Sequence, residues 1–157
     1  MEVVEKLRPA TAADAPAVAA CVTAAYRHYI ARIGKAPGPM LEDYDAVLRT
    51  HRVFVVEREG AIVAVAVLIV EHGRALLDNV AVLPQFQARG LGRRLIAHAE
   101  QEARCLGFTA IELYTHELMT ENIALYQRLG YEVFAHRTEK GYKRIYMRKQ
   151  LRAPGGA

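Results

Sequence analysis

At 157 residues, with 52% hydrophobic and 24% charged residues, the chain has the balance of an ordinary soluble protein and enough length to bury a core as one domain. A net charge of +4, without a basic run interleaved with aromatics, argues against nucleic acid as a partner and suits a local anionic ligand. The N-terminal MEVVEKLRPA lacks the apolar core of a signal peptide, and the longest apolar run, Ala61 to Val70, is about half of a membrane span. The expectation is a cytoplasmic protein with no membrane contact.

Val3 to Leu7 predicts a first strand. Thr11-Ala-Ala-Asp14 reads as a capping box opening a helix in which Val18, Val22, Tyr26, Tyr29 and Ile33 recur at helical spacing as far as Gly34. The Pro/Gly loop KAPGPM (Lys35 to Met40) leads to a second short helix, Leu41 to Arg49, whose acidic Glu42, Asp43 and Asp45 read as a solvated face. From Arg52 the period changes. Val53 to Glu57 and Ala61 to Val70 predict a hairpin, Ala75 to Leu83 a further strand stopped by Pro84. A helix then runs from Gly90 to a left-handed cap at Gly107. Ala110 to Tyr114 is read as a strand and Glu121 to Leu129 as a helix closed by Gly130. Tyr131 to His136 and Tyr142 to Gln150 are read as a closing antiparallel pair. The order β-α-α-β-β-β-α-β-α-β-β predicts a mixed α/β sheet with helices on its faces. Residues 1–151 form one domain in this reading, and 152–157 a disordered tail. Cys21 and Cys105 both lie in apolar helical patterns with no metal-ligand spacing, so both are expected as buried, reduced thiols, and no metal site is expected.

The stretch QARGLGRRL carries the ligand signal. Gly90 and Gly92 let a ligand approach the backbone, and the apolar series Leu91, Leu95, Ala99 and Ala103 puts them at a helix N-terminus, where free N–H groups attract phosphate. Arg89, Arg93 and Arg94 add to that field. A nucleoside-triphosphate loop needs Gly-Lys-Ser/Thr, which is missing. A dinucleotide fingerprint needs a third glycine where Leu95 stands, although Glu112 lies about where a ribose-binding acid would, so that reading is weakened and stays open.

Gln87-x-x-Gly90-x-Gly92 after the strand LLDNVAVLP resembles the coenzyme A-binding motif of the GNAT superfamily of N-acetyltransferases. LRPATAADAPAV is similar to that family's first strand and helix, and NIALYQRLGYEVF to its second signature. The order of elements matches from about residue 3 to 151. The resemblance implies a central sheet that splays, with acetyl-CoA in the gap as co-substrate. It implies main-chain contacts to the cofactor from Val80, Ala81 and Val82. It also implies a pyrophosphate cradle of Gln87, Ala88, Arg89, Gly90, Leu91, Gly92 and Arg93, with a further contact from Asn122. Tyr126, four residues on and on the same helix face, would protonate the leaving thiolate, since a phenol of ordinary pKa ~10 stays protonated at neutral pH.

Asp78 is the first candidate for the base, as a residue sharing a strand face with Val80 and Val82, and Glu112 is the second. Tyr26, Tyr29, Ile33, the KAPGPM loop and Tyr44 would wall the acceptor site, joined by Asp78 and His116. The implied function is direct acetyl transfer from acetyl-CoA to a primary amine, without an acetyl-cysteine intermediate. A non-catalytic acetyl-CoA sensor of the same fold is the alternative. The acceptor is open between small molecules and a protein N-terminus, and a homodimer is one option for assembly.

Overall fold

Seven strands form one sheet in the computed structural model of the chain, which describes residues 3–152. They are β1 (Glu5–Pro9), β2 (Arg52–Arg58), β3 (Ala61–Glu71), β4 (Arg74–Val82), β5 (Ala110–His116), β6 (Glu132–Glu139) and β7 (Tyr142–Gln150), in the order β1-β2-β3-β4-β5-β7-β6. Every neighbouring pair is antiparallel except β4 and β5, which run parallel. The expected order of elements and the mixed sheet are met. Apart from Arg152, the expected disordered tail lies outside the described residues.

Helices cover both faces, which explains why β3 is apolar throughout rather than alternating. Ala64, Ala66 and Leu68 pack beneath α4 (Leu91–Cys105), with Leu95, Ile96 and Ala99 above them. Val65 and Val67 pack on the other face beneath α1 (Ala15–Tyr26) and α3 (Tyr44–Thr50). The capping box at Thr11 forms in part as expected, with the Thr11 N–H donating to Asp14 Oδ2 at 2.7 Å.

The helix expected to run to Gly34 is broken. It stops at Tyr26, turns through Arg27 and His28, and restarts as α2 (Tyr29–Ile33), closing at Gly34 with φ 91°. Of the two cysteines, Cys21 is buried and Cys105 is exposed. Cys105 is the last residue of α4, where the helix has run past the sheet face that buries Ala103.

Two irregularities in β4 shape the centre of the sheet. The register with β3 shifts between the pairs Val67–Asn79 and Leu68–Leu77, so Asp78 is an extra residue in the ladder. Ala75, Leu77, Val80 and Val82 therefore all pack on the α4 side, while Asn79 and Ala81 turn to the α1 side. Asp78 does not share a face with Val80 and Val82 as alternation suggested; it meets Tyr114 across the sheet instead. The second irregularity is the pairing of β4 with β5. It consists of Leu76–Glu112 and Leu77–Leu113 alone, after which the strands part. The sheet is splayed.

Candidate active site

The parting strands leave two clefts that meet in the middle. The larger runs from the C-terminal end of β4 over the glycine loop and the start of α4 to α5 (Thr120–Arg128). The smaller lies on the α1 side, between the loop at Pro37–Pro39, the bulge at Asp78, and the strands carrying Tyr114 and Arg144. Tyr26, Val80, Asn122 and Tyr126 line both.

Strand geometry equips the first cleft. The Leu83 N–H donates to Val63 O at 2.9 Å, so alternation turns the N–H and C=O of Ala81 toward β3 and those of Val80 and Val82 into the gap. The two carbonyls are engaged from within the protein. Val80 O accepts from the Tyr26 hydroxyl at 2.9 Å, and Val82 O from Gln87 Nε2 at 3.0 Å. The N–H groups of Val80 and Val82 face the cleft, whereas Ala81 contributes only wall.

Beyond a 3-10 turn at Pro84–Phe86, Ala88 and Gly90 take left-handed conformations, φ 63° and 82°, which swing the chain into α4. Arg94 N–H makes the first helical bond, to Gly90 O at 3.0 Å. The N–H groups of Leu91, Gly92 and Arg93 precede the ladder and, with the helix dipole, form an anion-binding end. Of the three arginines expected to strengthen it, Arg93 lines the cleft. Arg94 instead pairs with Glu5, and Arg89 lies 5.5 Å from the centre of the Phe86 ring.

Tyr126 stands at the junction. Of the eight tyrosines in the chain, seven have hydroxyls hydrogen-bonded to protein groups among the described residues, and Tyr126 is the exception. Burial, with the phenol of Tyr29 nearby, pushes its pKa well above the ordinary value, so it stays protonated at neutral pH. Asn122 presents its amide one turn earlier, with Nδ2 3.7 Å from Met119 Sδ.

In the second cleft, the Asp78 carboxylate accepts from the Tyr114 hydroxyl at 2.7 Å. Its pKa is raised by burial, against the opposing pull of that hydrogen bond and of the nearby His51 and Arg144 side chains. The other candidate base, Glu112, is engaged elsewhere. It is tied to Arg74 and to Arg148 (2.9 Å) and lines neither cleft. His116 lines the second cleft, its Nδ1 accepting the Leu118 N–H at 3.1 Å and its pKa lowered chiefly by burial.

Tyr26, Ile33 and the proline loop wall this cleft. Tyr29 does not, because the break after Tyr26 sends it to the first cleft, where its hydroxyl meets Glu121 Oε2 at 3.3 Å. Tyr44 sits behind the wall, donating to Pro39 O at 2.6 Å and accepting from Asn79 Nδ2 at 3.0 Å.

The family model described as "Acetyltransferase (GNAT) family" matches residues 20–131, more than half of the chain. The chain belongs to the GNAT acetyltransferase family. GNAT acetyltransferases use acetyl-CoA as their co-substrate. Among relatives, the chain is 35% identical to the [ribosomal protein bS18]-alanine N-acetyltransferase of Escherichia coli (strain K12) over 78 residues, 50% of this chain and 53% of that protein. It is 32% identical to the IAA acetyltransferase of Azospirillum brasilense over 82 residues, 51% and 54% of the two chains. The chain thus spans about half the length of the curated relatives it matches.

The fold is similar over nearly the whole chain to the crystal structure of the ribosomal-protein-S18-alanine N-acetyltransferase from Escherichia coli (TM-score 0.74, 22% identity, 98% and 97% covered). It is also similar to a GNAT acetyltransferase from Elizabethkingia anophelis with acetyl-CoA bound (TM-score 0.72, 18% identity, 94% and 98% covered). At those identities the likeness is one of GNAT fold.

Within this GNAT domain, sequence reasoning missed Asn79, Tyr114, Tyr142 and Arg144. Tyr114 and Arg144 come from strands thirty residues apart, and their meeting depends on the β5–β7 register that sets His116 opposite Arg144. Alternation along YKRIYMRKQ places Tyr142 and Arg144 on one face, which was the available signal.

Proposed function

We propose that the chain transfers the acetyl group of acetyl-CoA directly to a primary amine, with both substrates bound at once. The observation that carries this is the Tyr126 hydroxyl, unengaged by the protein at the junction of the two clefts. In this reading the first cleft holds the cofactor. The N–H groups of Val80 and Val82 bond the pantetheine arm, the amides from Ala88 to Arg93 take the pyrophosphate, and Asn122 makes a further polar contact.

The acceptor amine enters from the second cleft. Asp78 takes up its proton, and the burial that lifts the carboxyl's pKa makes it a better base near neutral pH. The neutral nitrogen attacks the thioester carbon, and a main-chain N–H near Val82 stabilises the oxyanion. That attack forms the C–N bond. Collapse restores the carbonyl and breaks the C–S bond, and the thiolate takes the proton of Tyr126. The second proton of the attacking nitrogen returns to the Tyr126 phenolate as the neutral amide forms. An acetyl-cysteine step has no support, since neither Cys21 nor Cys105 lines a cleft. Cys21 is moreover held as a thiol, its pKa pushed up to about 12 by burial.

The test is thiol release from acetyl-CoA over a panel of amines, with Tyr126→Phe alongside. Amine-dependent release that falls about 100-fold in the variant supports the reading. An unchanged rate in the variant removes Tyr126 as the acid, and no release with any amine removes the acetyl-transfer reading.

A further inference from the structure

Acetyl transfer itself makes no use of Arg144. This residue lies on β7 with its side chain 16% exposed, and it lines the second cleft. Its guanidinium carbon is 4.6 Å from the ring centre of Tyr114 and 5.4 Å from that of Tyr142, so two aromatic rings flank it. Among the described residues it donates no hydrogen bond to a protein group. Its ion-pair partner Glu139 stands 3.7 Å away, and the same Glu139 oxygen already accepts from the Tyr146 hydroxyl. This guanidinium, mostly covered by the two rings yet open to the cleft, hydrogen-bonds no protein group among the described residues through its five N–H donors, and it matches a carboxylate in shape and charge.

Tyr114 links this cation to the reaction centre. Its ring face lies against Arg144 while its hydroxyl donates to Asp78 Oδ1 at 2.7 Å. An anion and a cation thus line one cleft, a single phenol ring apart. Two walls of the cleft are strapped together. Tyr142 donates its hydroxyl to Ala36 O, and Lys35 reaches over the Tyr142 ring (3.9 Å) to bond Lys140 O at 3.3 Å. Gly38 approaches Arg144 so closely that a Cβ there would lie 3.1 Å from Nη2. These contacts join the proline loop to the β6–β7 hairpin. They suit a compact acceptor rather than an extended peptide, which needs an open channel.

We propose that the acceptor is a free amino acid, its amine directed to Asp78 and its carboxylate held by Arg144. This rests on the acetyl-transfer reading. A polyamine or other multiply cationic acceptor offers nothing to Arg144 and meets its charge.

The experiment compares the twenty amino acids with their carboxamides, spermidine and an alanyl tetrapeptide. It reads kcat/KM by thiol release, and the thermal shift each compound gives in the presence of CoA. For the preferred amino acid, wild-type kcat/KM exceeds that of its amide by about tenfold or more, the worth of one charge-assisted hydrogen-bonded pair. In Arg144→Gln that ratio collapses to within about threefold, and Arg144→Lys gives an intermediate value because a point charge replaces the planar fork.

Equal wild-type rates for acid and amide overturn the proposal, as does a preference for spermidine or the tetrapeptide; either leaves acetyl transfer standing. If no compound is turned over, a carboxylate-dependent thermal shift lost in Arg144→Gln sustains anion recognition and sinks only the transfer chemistry. Absence of that shift as well sinks both. The wild-type ratio decides even if the variants fold poorly.

Discussion

Tyr26 and Tyr126 line the same two clefts but use their hydroxyls in opposite ways. Tyr26 shares its proton between Asn79 Oδ1 (3.0 Å) and Val80 O (2.9 Å), whereas Tyr126 donates to no protein group among the described residues. The same chemical change in each should therefore act on different properties. Tyr26→Phe leaves two buried acceptors without a donor and lowers stability by about 1–3 kcal/mol. Tyr126→Phe costs less than the about 0.5 kcal/mol of the weakest hydrogen bond, yet lowers kcat about 100-fold. Denaturant melts and single-turnover rates on both variants check the contrast. A destabilised Tyr126→Phe with normal kcat would show that the hydroxyl is structural.

Asp78 is expected to weaken the fold at neutral pH. Burial raises its folded pKa, so the native state binds the proton more tightly than the unfolded chain does. Stability then falls as pH rises from the ordinary aspartate value, ~3.9, through the raised folded value, and the deficit persists at pH 7. Asp78→Asn removes that deficit and keeps an oxygen for the Tyr114 hydroxyl. Its Tm should equal or exceed the wild-type value at pH 7, with the advantage vanishing below about pH 4. The acid limb of the kcat/KM profile should disappear with it. A variant less stable at pH 7 contradicts the account.

Glu112 should behave as a structural residue. Its carboxylate, nearly buried, joins Arg74 and Arg148 away from both clefts. Glu112→Gln is expected to lower stability by about 1–2 kcal/mol, discounted because both arginines are about half exposed. The KM for acetyl-CoA and kcat should stay within about twofold. A large loss of kcat at normal stability would restore Glu112 as a candidate base.

Gly90 has φ 82° and lies in open space, so a methyl group there clashes with nothing but strains the backbone. Gly90→Ala should lose about 1–2 kcal/mol, the cost of a left-handed residue with a Cβ. If the turn relaxes to escape that strain, the N–H groups of Leu91 to Arg93 are re-aimed. The Kd for CoA measured by calorimetry then rises more than that for the dephosphorylated pantetheine fragment.

Features with a local cause were legible in the sequence. Unbroken apolar character along AIVAVAVLIV marks a strand buried on both faces, and the glycines at 90, 107 and 130 fall where left-handed backbone ends or opens helices. Features fixed by partners were not. Leu77-Asp78-Asn79 reads as plain alternation, because a bulge is set by the register of the adjoining strand. The turn at Arg27-His28 contains neither glycine nor proline, so nothing in the helical pattern announced it. The same break moved Tyr29 from one cleft to the other. Arg144 needed the β5–β7 pairing before its neighbours could be named.

The two residue pairs between β4 and β5 also have a mechanical meaning. The sheet is in effect two leaves, β1 to β4 and β5 to β6, sewn by a very short seam. A cofactor arm bonded to Val80 and Val82 on one leaf and to Asn122 after the other would lengthen that stitching. In the proposed reading the acceptor's cleft has walls on both leaves, so a cofactor arm that bridges the gap stiffens the two walls together. Under that reading, donor before acceptor is the expected order of loading. Amide exchange at Val80 and Val82 should slow on adding CoA alone, and initial-rate patterns should be those of ordered addition.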